Sequence, residues 1–156
     1  MTHLSVVHLH LAINHSPLYT ELFAFFFVLI GLIKKNRALV TSGLVMCIIA
    51  ALCAGAAYWS GDQASDIIDQ SPPIAGVEKA MIGPHADAAA WFLAAACITA
   101  VLAIVALIVG RKRGARPRWL EIVALLLVLF SLTVVARTAL LGGRIHHPEV
   151  RAVVRS

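Results

Sequence analysis

The chain has 156 residues, 60% of them hydrophobic and 13% charged, with a formal charge of +5 and a mean hydropathy of +0.88. Soluble domains run near roughly 45–50% apolar and 25% charged, so this composition excludes an ordinary soluble domain and points to one integral membrane domain over residues 1–156. The positive charge is no nucleic-acid footprint, because most of it sits in two short loops between apolar runs, where orientation in a bilayer accounts for it.

The first residues carry no Lys or Arg, and no A-x-A site follows an apolar core, so no cleavable signal peptide is expected. Next comes His8-Leu9-His10-Leu11-Ala12-Ile13-Asn14-His15-Ser16-Pro17. Pro17 suits the first turn of a helix, where its missing N–H costs nothing, and Ser16 is expected to cap that helix. If the tract before it is helical, His8 and His15 share a face about 10.5 Å apart along the axis. If it is extended, His8 and His10 share a face instead.

Four apolar runs follow, about 17–33, 38–59, 86–109 and 119–141, each able or nearly able to cross a hydrocarbon layer of ~30 Å. They predict an all-α, integral membrane four-helix up-down bundle, with short helices on its outer face. Lys34-Lys35-Asn36-Arg37 joins the first pair, and the run from Arg111 to Arg118 joins the second. These loops hold eight of the 13 Lys and Arg residues, so the positive-inside rule places them in the cytoplasm. Both termini and the 60–85 segment then face the periplasm or cell exterior, the expected location being the bacterial inner membrane. Tyr19, Tyr58, Trp59 and Trp91 mark the outer interface and Trp119 the inner one.

In the outer segment, Ala64, Ile67 and Ile68 recur at helical spacing, predicting a short amphipathic helix over 62–70 broken by Ser71-Pro72-Pro73. A second short helix over 75–81 is expected to stop at Gly83-Pro84, just ahead of His85. The segment serves either as a lid over an outer site or as a plain connector. Each half of the chain has a histidine before a span (His15, His85), a basic turn, and glycine ending its second span (Gly61, Gly142-Gly143), which hints at a two-plus-two repeat. Cys47, Cys53 and Cys97 lie inside apolar runs with no CxxC pair and read as small apolar filler.

The seven histidines, His3, His8, His10, His15, His85, His146 and His147, all fall on the outer side. In an up-down bundle the ends carrying His15, His85 and His146-His147 meet in one layer. Imidazole is the side chain that stays neutral near pH 7, tolerates a partly apolar layer and still ligates iron, copper or zinc. No HExxH and no Glu-x-x-His occurs, which removes the usual zincin and di-iron bundle chemistry. A haem needs an axial histidine or two and a flat apolar slot. The alanine-rich stretches Ala50–Ala57, Ala86–Ala90 and Ala94–Ala96 leave room for one, or simply let helices pack closely.

These residues lead to a membrane-embedded b-type haem protein passing electrons at the periplasmic face. The candidate ligands are His8, His15, His85 and His147, with His10 and His146 as substitutes. Arg137 and Arg144, seven apart, are candidates for haem propionates. Glu21 is a candidate proton-handling group or a partner for Arg137. The alternatives are a zinc or copper site using the same histidines with Asp87 or Glu149, and a cofactor-free accessory subunit. The expected partners are the lipid bilayer, other membrane redox subunits or a periplasmic electron carrier, and no nucleic acid; a homo-oligomer is compatible with all of this. Transport is disfavoured, since no Asp, Glu or Lys is expected near mid-bilayer.

The chain resembles the DUF2231-type family of bacterial four-helix membrane proteins at three places: His15-Ser16-Pro17 opening span one, His85 at the entrance to span three, and Gly142-Gly143 followed by His146-His147 after span four. That resemblance implies the four-span architecture and leaves the chemistry open.

Overall fold

The computed structural model describes residues 2–147, with side chains from residue 6 onward. Among the described residues five α-helices follow one another: α1 (Thr2–Ile13), α2 (Ser16–Ile33), α3 (Arg37–Gln70), α4 (Ile82–Arg113) and α5 (Arg118–His146), with a 3-10 turn at Lys79–Met81. Among the described residues, four stretches are long and apolar enough to cross a membrane, the first combining α1 and α2 from Val6 to Ile33. The two basic turns fold α2 against α3 and α4 against α5 as antiparallel pairs, whereas α1 continues the first span ahead of α2. Helices α2 to α5 pack in sequence, α5 returns against α2 to close the ring, and α1 lies along α3. This is an all-α four-helix bundle with a short helix added at its start.

The turns explain why the helices stop where they do. At the α2–α3 turn Lys35 adopts a left-handed backbone, φ +53°, and the Asn36 side chain then accepts hydrogen bonds from Ala38 N (2.9 Å) and Leu39 N (3.2 Å). That satisfies two of the orphan donors at the start of α3. Helix α4 ends on Gly114, whose φ of +67° few other residues tolerate. The two basic turns are bonded to each other. Arg37 Nη1 donates to Gly114 O (2.7 Å), Arg116 Nη2 donates to Arg37 O (3.2 Å), and Arg116 Nε pairs with Glu121 at 3.1 Å.

At this basic end the core is continuous, with Ala24, Leu44, Cys47, Ala103, Ala124 and Val128 fully buried. Helices α2 and α3 touch backbone to backbone, since a Cβ on Gly43 would stand 2.8 Å from Val28 N and one on Gly31 2.7 Å from Val40 N. Close approach at small residues is how membrane helices gain packing where lipid offers no hydrophobic contrast. A smaller core of Ala54, Phe92, Ala96 and Val135 fills the other half. Facing outward are Phe23, Phe26, Ile30, Leu52, Ile98 and Phe130, an apolar jacket suited to lipid.

Of the two conformations left open for the tract around His8 and His10, the helical one is found, as α1. Several other expectations are corrected. Ser16 does not cap α2: His15 occupies the N-cap position without a side-chain bond, and Ser16 Oγ donates back to Ile13 O at 2.7 Å. The expected 62–70 helix is no separate element. Helix α3 continues unbroken through Gly61 for 34 residues, about 51 Å at 1.5 Å per residue. Gly83-Pro84 does not stop a helix but sits in the first turn of α4, where proline needs no N–H partner. His85 is therefore inside α4 rather than ahead of it. The segment from 71 to 81 is a tethered connector: Lys79 Nζ donates to Ser71 O (2.7 Å), and Glu78 N donates to Ile145 O (2.9 Å).

Candidate functional site

The histidine end of the bundle does not close as tightly as the basic end. A cavity of about 560 Å³ opens there, with mostly apolar walls drawn from all five helices. Its floor is Leu18, Ala54, Phe92 and Val135, and its polar groups include His10, Asn14 and His85. The volume falls within the roughly 300–1,000 Å³ of sites that hold small molecules and cofactors.

Two half-buried imidazoles are held in this wall by the same device. His10 on α1 places Nδ1 3.1 Å from Ala57 O on α3. His85 on α4 places Nδ1 3.0 Å from Thr138 O on α5. A carbonyl can only accept, so each Nδ1 carries the proton, and each Nε2 keeps its lone pair. In both cases the carbonyl belongs to the residue four before a glycine, Gly61 or Gly142. The ring lies close enough to that glycine to exclude a side chain: a Cβ would stand 2.8 Å from His10 Cε1 at Gly61 and 3.0 Å from His85 Cε1 at Gly142. The two rings are within electrostatic range of one another. His10 has one further partner: the fully buried Ser60 hydroxyl lies 3.2 Å from its Nδ1 and donates to the same Ala57 carbonyl at 3.1 Å.

The other candidates are placed less centrally. His15, His146 and His147 are exposed but line the cavity mouth. His8 is exposed and lies outside the lining, because the helical phase of α1 turns His10, not His8, toward α3. His10, ranked as a substitute by the sequence, is thus the better placed. Arg137 and Arg144 also lie outside the lining, Arg137 exposed and Arg144 half-buried. Asp87 is exposed and does not line the cavity, and Glu149 lies outside the described residues. Glu21 forms no ion pair with Arg137; it accepts a hydrogen bond from Ser131 at 2.8 Å. Among the described residues no three His, Cys, Asp or Glu side chains come together as a ready metal site. A pair of imidazoles facing one cavity is a different arrangement, suited to a group that asks for only one or two axial nitrogens.

Sequence reasoning missed the glycines as ring cradles, Ser60 as a positioning hydroxyl, and Asn14, whose Oδ1 is buried in the cavity wall with no hydrogen-bond partner. The recurrence of a glycine near the end of each second span was the one visible signal. Compared with protein-family models, with curated proteins and with solved structures, the chain matches none of them.

Proposed function

We propose that the chain is a membrane-embedded b-type haem protein that transfers electrons at the periplasmic end of the bundle, with His10 and His85 as the residues that would hold the haem. The observation that carries this is the matched anchoring of two imidazoles by main-chain carbonyls, each ring lining one apolar cavity with its Nε2 left unprotonated. Ligating histidines are ordinarily fixed in this way through the other ring nitrogen, which sets the tautomer and raises ligand basicity. Bound haem would supply one-electron transfer. The chain's own part is to hold the imidazoles, exclude water with Leu18, Phe92 and Val135, and offer the Asn14 carbonyl oxygen to a polar edge of the ligand. His15, His146 and His147 stand at the mouth as alternative ligands.

The bacterial inner membrane, periplasmic termini and cytoplasmic basic loops belong to the same proposal and rest on the Lys and Arg asymmetry. Membership of the DUF2231-type family is likewise proposed, on His15-Ser16-Pro17, His85 and Gly142-Gly143. So are a membrane redox subunit or periplasmic carrier as partner.

The test is the absorption spectrum of detergent-purified protein, oxidised and then dithionite-reduced. A Soret band that sharpens and shifts on reduction is expected. Protein made with ample haem supply that shows no such band overturns the proposal. Stoichiometric zinc or copper by metal analysis would then assign the same imidazoles to a metal ion, and neither would leave a cofactor-free accessory subunit.

A further inference from the structure

Between the two cores of the bundle lies a thin polar layer that the cofactor does not use. Glu21 on α2 is 0% exposed. Its Oε1 accepts from Ser131 Oγ at 2.8 Å, while Oε2 is buried with no hydrogen-bond partner. Ala24 and Val128 of the larger core lie one turn to one side, and Leu18 and Val135 of the cavity floor one turn to the other. Counting back from Ile33 at the basic end, Glu21 stands about 18 Å into the helix, well inside a hydrocarbon layer of ~30 Å. The expectation that no acid lies near mid-bilayer is therefore corrected, because α1 lengthens the first span at its far end and leaves Glu21 deep inside it.

The groups facing this carboxyl are few. From α5 there is Ser131, and from α3 the buried Cys47 thiol within electrostatic range. Helix α2 itself has no other Asp, Glu, Lys, Arg or His. Among the described residues no Lys, Arg or His forms an ion pair with Glu21. A carboxylate in such a place would have one hydroxyl donor for its several lone pairs and no counter-charge, a heavily penalised arrangement. The neutral acid loses far less on leaving water. An ionisable side chain inside a membrane bundle is a functional group until shown otherwise.

We propose that Glu21 is an intramembrane proton-binding site, loaded through the histidine-end cavity one helical turn away. A proton enters by bonding to an Oε2 lone pair, neutralising the carboxylate, and leaves by the same route to water in the cavity. Pro17 and Leu18 on α2 and Val135 on α5 form the intervening turn, so a small opening of the cavity floor connects the two. Ser131 is the positioning residue, holding Oε1 so that Oε2 carries the exchangeable proton.

The proposal stands apart from haem binding and is tested without it. Purified full-length protein is treated with dicyclohexylcarbodiimide, an apolar reagent that adds a protonated carboxyl across its C=N bond, the proton passing to nitrogen. Peptide mass mapping is expected to find the adduct on Glu21, with complete loss of that adduct in Glu21→Gln. Infrared spectra should show a protonated-carboxyl carbonyl band that is absent in Glu21→Gln, shifts in D2O, and moves to higher frequency in Ser131→Ala. Absence of both adduct and band in wild-type protein overturns the proposal. Protection of Glu21 by sodium or potassium ions also overturns it, in favour of a bound cation, and a band that never shifts in D2O overturns the cavity route.

Discussion

Set side by side, the two halves of the molecule reach one arrangement by different routes. In the second half the imidazole is carried by the first turn of a continuous membrane helix, His85 on α4, and rests on Gly142 of α5. In the first half it is carried by a separate short helix, α1, joined to α2 through Asn14-His15, and rests on Gly61 of α3. The bond is the same, Nδ1–H to a carbonyl four residues before the glycine. The first half adds the Ser60 hydroxyl and a ring 0.2 Å closer to its glycine (2.8 against 3.0 Å). What recurs is the placement of the ring, and the extra hydroxyl falls in the half whose ring arrives on a separate short helix.

This equivalence can be broken experimentally, and the most drastic breakage comes first. His10→Ala and His85→Ala are each expected to abolish most of the Soret absorbance, and the double variant all of it, in titrations of purified protein with haem. A single variant that binds as wild type would show that the halves are not equivalent ligands. The glycines come next. Gly61→Ala and Gly142→Ala force their rings away, at a cost of about 1–3 kcal/mol typical of overpacking, with Gly61→Ala the more damaging because its ring is nearer. Thermal unfolding in detergent measures the order, and imidazole nitrogen NMR reports loss of the Nδ1–H tautomer. Ser60→Ala should cost about 0.5–1.5 kcal/mol and loosen His10 while leaving His85 unchanged, which sharpens the contrast between the halves. Smallest is Glu121→Gln at the far end. It weakens the Arg116 pair by up to about 1 kcal/mol, with no change at either ring, read by the same unfolding and NMR experiments.

The four spans were legible because long apolar runs separated by Lys and Arg leave little choice of structure. The cavity's histidines were legible only as a group. Which of His8 and His10 faces inward depends on the rotation of α1 against α3, and the alternation His8-Leu9-His10-Leu11 is silent about that. Gly83-Pro84 read as a breaker because the helix start was placed after it, at about 86; the start at Ile82, four residues earlier, turns the proline from an obstacle into a good first-turn residue. Glu21, only a few residues into the expected first span, was read as a proton-handling candidate or a partner for Arg137. With α1 stacked ahead of α2 the same residue becomes deeply buried, a change decided by a helix whose composition is neither clearly membrane nor clearly loop. The glycine cradles were invisible for a simple reason: a missing side chain announces itself only when its neighbour is known.

The bonds between the two basic turns have a mechanical corollary. With Arg37 and Arg116 each gripping the opposite turn's main chain, that end cannot splay without breaking both hydrogen bonds. Any opening of the bundle is then easiest at the opposite rim, with the helix pairs swinging like the arms of tongs riveted at the handle. The rivet thus makes the histidine end, with its cavity, the end that yields first.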